Sequence, residues 1–219
     1  MATATLAPPR PFLRPKYVAF AFIAVMTAYV LKHNESWILD KTDPVRIHYA
    51  QIAKYLTPHG IAGAIALLLA PFQFSDRLRA KYKKFHRVAG RFYVAGVLFA
   101  APMGAYIQYW DERIGGPRSF TMLAVADAVL WLSTTLIALF FAMRGHITEH
   151  RRWMTRSYAV ALVFFEGRFF IGVTGFDNSP AMVEAIIWVC LVFAVLIGDL
   201  AIQIQEMPKR KVLAKAQSA

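Results

Sequence analysis

The run FTMLAVADAVLWLSTTLIALFFAM, Phe120 to Met143, decides the class of this chain: it holds one charged side chain, Asp127, and no histidine. It is longer than the ~20 apolar residues that carry a helix across a hydrocarbon core of ~30 Å. Searching outward at that length gives five more spans: Tyr17 to Leu31, Tyr55 to Phe74, Val88 to Tyr109, Ser157 to Phe176 and Met182 to Ile204. The first is the shortest. Arg10, Arg14 and Lys16 precede it as they would a signal peptide, but no small-residue cleavage pattern follows in VLKHNESW, so it reads as an uncleaved signal-anchor helix.

Composition agrees with a bilayer as solvent. Of 219 residues, 58% are hydrophobic and 17% charged, too apolar for an ordinary soluble domain of this length. The net charge of +12 could suit nucleic acid, but the 25 lysines and arginines lie between apolar runs and no nucleic-acid motif accompanies them. Cys190, the single cysteine, excludes an intramolecular disulfide and any metal site built on cysteines.

The basic residues also predict direction. Lys and Arg number three in residues 1–16, six in 75–87, four in 144–156 and four in 205–219, against four, two and none in the alternate segments 32–54, 110–119 and 177–181. Basic loops are retained in the cytoplasm. The expectation is an all-α, polytopic bundle of six transmembrane helices in the inner membrane, with both termini cytoplasmic. Residues 1–16 form a tail, 17–204 the transmembrane domain and 205–219 a basic tail. Short turns such as GGPRS and DNSP leave no room for a second domain.

Arg91, Asp127, Glu166, Arg168 and Asp199 fall inside the spans, where an unpaired charge costs several kcal/mol. At a rise of ~1.5 Å per residue, Arg168 and Asp127 come to nearly the same depth, and so do Arg91 and Asp199. These are the two predicted ion pairs. Glu166, two residues from Arg168, points to another face and is left over. The charges either lock the bundle together or make Asp127 or Glu166 a proton-relay group.

Between two of the runs lies HITEHRRWMTR, residues 146–156. One reading is a basic collar, with Trp153 in the interfacial aromatic belt and the arginines meeting anionic lipid head groups. The histidines ask for more. His33 and His48 fall in an outer loop, and His59 opens the second span after Pro58, about a membrane thickness from His86. His86 and His150 share a depth on the third and fifth spans, which suits bis-imidazole ligation of a haem b. Gly90 and Gly96 would let a flat macrocycle approach the backbone, and Arg87, Arg91, Arg151 and Arg152 could hold its propionates. Alternatively His146 and His150, four apart, could share a divalent ion; Glu149 points elsewhere.

Three segments in order, HGIAGAIALLLAPFQF, HRVAGRFYV and HRRWMTRSYAVALVFFEGRFF, resemble the bacterial predicted membrane proteins grouped as domain of unknown function 2306, over roughly residues 55–175. The resemblance implies a multi-spanning protein of unassigned activity, with His59, Gln73, His86, Arg87, Gly90, Arg91, His150, Trp153, Arg156 and Arg168 at its motif positions. A more distant similarity is to transmembrane b-type cytochromes of the 561 kind. It implies ligands on four successive helices, of which this chain offers His59, His86 and His150 but nothing on the run from Phe120 to Met143.

The leading functional expectation is a haem-binding membrane redox protein that uses His86 and His150 and exchanges electrons with quinone or a cytoplasmic donor. The others are a small proton-coupled transporter or exporter, and a non-catalytic membrane organiser or sensor.

Overall fold

The computed structural model describes residues 15–33, 40, 42–176 and 179–217, with side chains for 17–33, 40, 42–176 and 179–207. The described chain is helical: α1 (Pro15–His33), α2 (Pro44–His48), a 3-10 turn (Ala50–Ile52), α3 (Ala53–Gln73), α4 (Asp76–Lys81), α5 (Lys83–Arg113), α6 (Arg118–Met143), α7 (Ile147–Ala161), α8 (Val163–Thr174) and α9 (Pro180–Gln217). Five segments are long and apolar enough to cross a bilayer: Ala50–Gln73, Lys83–Arg113, Arg118–Met143, Ile147–Thr174 and Pro180–Met207. Tyr17–His33 is apolar but shorter, so the first of the six expected spans does not reach this length. Most of the expected N-terminal tail lies outside the described residues, whereas the segment expected as a C-terminal tail continues α9 to Gln217.

Helix boundaries follow local chemistry. Ser75 caps α4 by accepting from the Leu78 N–H, and Asp43 caps α2 by accepting from Val45, with Pro44 in the first turn. Gly145 (φ 74°) turns the chain between α6 and α7, and Gly175 (φ 73°) ends α8, both in the left-handed region that glycine enters without a Cβ penalty. Pro58 and Pro71 lie inside α3, so His59 is on its second turn and does not open it. The fifth span is two helices: after Ala161 the Leu162 N–H bonds to Ala159 O at 3.2 Å, a tightened turn between α7 and α8.

Helices α3, α5, α6 and α7 close a ring, in which α3 packs on α5, α5 on α6, α6 on α7 and α7 on α3. α9 covers α7 and α8, and α1 lies on α8. Lipid supplies no hydrophobic drive between helices, so close backbone approach at small residues must help hold them. A Cβ on Gly96 would come within 2.8 Å of Ala62 O, and one on Gly167 within 2.8 Å of Ile187 Cγ1. The core is apolar, with Met26, Val30, Tyr93, Val97, Leu123 and Val163 buried. The outside is apolar too, with Phe22, Leu68, Phe99, Val129, Phe193 and Leu200 exposed, as a bilayer requires.

Candidate functional site at the basic end

α5 and α7 run in the same direction, and their side chains meet where the Tyr93 hydroxyl and Ser157 Oγ lie 2.7 Å apart. Thr135 of α6 joins at 2.7 Å from Ser157, and the Trp131 indole N–H donates to Tyr93 at 3.4 Å. Tyr93, Thr135 and Ser157 are fully buried. Seven residues before Tyr93 is His86, and seven before Ser157 is His150. Seven residues is two turns, ~10.5 Å, and returns to nearly the same helix face. By that spacing the two histidines fall at a similar height on α5 and α7, and they stand within electrostatic reach of one another.

Their hydrogen bonds differ. His150 Nδ1 donates to Ala138 O at 2.9 Å, which fixes the tautomer and leaves Nε2 as the lone-pair nitrogen. His86 Nδ1 is buried with no partner. A cleft of about 320 Å³ opens beside it, lined by Asp76, Arg79, Ala80, Lys83, His86 and Arg87. Arg79 and Arg151 both bond Asp76, at 2.6 and 3.3 Å, and the second bond ties α4 to α7.

The other expected residues are placed as follows. Arg87 lines the cleft. Arg152 does not face it: its guanidinium spans Glu206 of α9 at 2.7 and 2.9 Å and Glu149 at 2.6 Å. Asp199 accepts from Arg156 at 2.7 Å and not from Arg91, because α9 packs on α7 and α8 while Arg91 points outward from α5. Asp127 and Arg168 do not pair. Asp127 is buried on α6 with Oδ1 unpartnered, whereas Arg168 is on an exposed face of α8, which packs against α9 and α1. In both cases depth was matched and the direction around the helix axis was not.

Glu166, half-buried on α8, stands within electrostatic reach of Cys190. Gly96 offers no room to a macrocycle, since α3 fills that face, while a Cβ on Gly90 would lie 3.8 Å from Gln73 Oε1. His146 packs edge-on against Phe141, and no group of three metal-ligating side chains occurs among the described residues. At the opposite end His59 donates Nδ1 to Ala100 O at 2.9 Å and lies over Gly104. His33 stacks near Tyr29, and His48 pairs with Asp111 at 2.7 Å. The Tyr49 phenol beside them is held above its ordinary range by burial and then by the Asp111 carboxylate.

Sequence reading missed Tyr93, Ser157, Thr135 and Trp131. The signal was present: Ser157 and Thr135 are hydroxyls within apolar runs, and polar side chains there need partners on neighbouring helices. Among known proteins, no curated protein and no solved structure matches the chain. One family profile does, described as predicted membrane protein (DUF2306), and it covers residues 56–202, from α3 through most of α9. The chain therefore belongs to that family of membrane proteins of unknown function.

Proposed function

We propose that the basic end of the bundle is a ligand site in a membrane redox protein, where His86 and His150 would hold a haem b. What supports this reading is the spacing that sets His86 and His150 each two turns before the partners of one buried bond, Tyr93 to Ser157, with His150 Nδ1 donating to Ala138 O. The donor set fits: two imidazoles suit iron, and Arg79, Lys83 and Arg87 beside His86 suit carboxylates. Bound there, the haem would supply one-electron chemistry. The chain's own part is to hold both rings, shield them with buried Tyr93 and neutralise propionates. By the distribution of basic residues this end faces the cytoplasm, with both termini, across the inner membrane.

Absorption spectra of protein purified from haem-replete cells test the reading. Sharp reduced bands in the wild type, lost in both His86→Ala and His150→Ala, are expected. A preparation that stays colourless after haem addition removes the proposal.

A second reading, a proton-coupled transporter, draws on one observation, the buried Asp127 carboxyl with Oδ1 unpartnered in the upper half of the bundle. It requires vesicle transport that Asp127→Asn abolishes.

A further inference from the structure

Buried side-chain polar atoms without a partner are few among the described residues: Gln73 Nε2, His86 Nδ1, Tyr158 Oη and Asp127 Oδ1. Three of the four are on the helices that meet at the basic end, one each from α3, α5 and α7. A chain of neighbouring contacts links them. On α5, His86, Gly90 and Tyr93 share a face at helical spacing. Gln73 turns its Oε1 toward Gly90, and Phe74 beside it packs on Tyr158 with ring centroids 5.6 Å apart. Ser157, next to Tyr158, bonds Tyr93. Phe20 of α1 closes the outer side, 5.8 Å from Phe74 and 6.3 Å from Tyr158 between ring centroids.

Orphaned buried groups in a native structure call for an explanation. The chemistry of these three is one-sided. The Gln73 amide nitrogen donates only, the Tyr158 hydroxyl can donate, and His86 Nδ1 carries the proton whenever Nε2 serves as a ligand. The matching molecule offers acceptor oxygens. Phe20, Phe74 and Tyr158 add aromatic walls that suit a flat ring better than a phosphate.

We propose that Gln73, His86 and Tyr158 bind a membrane-dissolved quinone, a flat ring with carbonyl oxygens and an apolar tail that stays in lipid. The inference rests on the redox reading in placing electron exchange at this end, but the binding itself does not need iron. Ligating histidines usually donate the other ring N–H to an acceptor, as His150 does to Ala138 O, and a quinone carbonyl gives His86 the same.

The test is quenching of tryptophan fluorescence by decylubiquinone in detergent-purified, haem-free protein, with Trp131 beside Tyr93 as the near reporter. Wild type is expected to give saturable quenching. Gln73→Leu and Tyr158→Phe are each expected to weaken the apparent Kd about tenfold, the effect of one lost buried hydrogen bond, while Lys84→Gln leaves it unchanged. Quenching that rises linearly without saturation overturns the proposal, as does wild-type affinity in folded Tyr158→Phe, the milder change should Gln73→Leu fail to fold. A colourless protein that still binds quinone saturably would remove the haem and leave the quinone site. A haem spectrum without saturable quenching would do the reverse.

Discussion

His86 and His150 are each two helical turns before the partners of one buried hydrogen bond, Tyr93 to Ser157 at 2.7 Å. That bond fixes the relative height of α5 and α7, so whatever holds it also holds the two imidazoles level.

Tyr93→Phe removes the hydroxyl while Ser157 keeps its 2.7 Å contact with Thr135. The expected loss is about 1 kcal/mol of stability, the usual worth of one interhelical hydrogen bond in a membrane bundle. Thermal unfolding in detergent measures it. A wild-type melting temperature in Tyr93→Phe would show that the bond does not hold the two helices.

Gly96→Leu should be worse. A Cβ alone would meet Ala62 O at 2.8 Å, backbone that cannot rotate aside, so α3 must move off α5. Overpacking of this sort costs about 1–3 kcal/mol. Gly60→Leu, where a Cβ meets nothing, is the matched control, and comparison of their melting temperatures checks the difference.

Arg156→Gln and Asp199→Asn should each destabilise by about 0.5–1 kcal/mol, and the double variant by less than their sum, because the partly exposed pair is a single interaction. Arg91→Gln should show no coupling to Asp199→Asn. A double-mutant cycle on thermal stability decides between the two arginines.

At the opposite end, Asp111→Asn keeps an acceptor for His48 but removes the carboxylate charge that disfavours ionisation of Tyr49. The Tyr49 titration should move down toward the ordinary tyrosine range, with burial keeping part of the elevation. Ultraviolet pH titration of Asp111→Asn, with Tyr49→Phe to identify the signal, measures it. No movement would show that Asp111 does not act on the phenol.

What the sequence made legible was whatever depends on one dimension. Apolar length located the five helices long enough to cross a membrane, and counting residues from a boundary gave each charge and histidine a depth. Rotation about each helix axis is a second coordinate, set by which helices pack together, and a single sequence does not display it. For that reason Arg156 and not Arg91 meets Asp199, and Arg152 turns to Glu206 and away from the cleft. Gly96 was legible as a close approach, but the partner is α3. The α7–α8 break at Leu162 has no proline or glycine to announce it.

The proposed haem site requires His86 and His150 to converge, and that convergence can be measured. Its most direct measurement is crosslinking of the double variant His86→Cys, His150→Cys by a short bis-maleimide in membranes, with Cys190→Ala to remove the native thiol. Rapid intramolecular crosslinking is predicted, with none in the control His59→Cys, His150→Cys, whose positions lie at opposite ends of the bundle. Equal and slow reaction of both pairs would show that His86 and His150 do not meet.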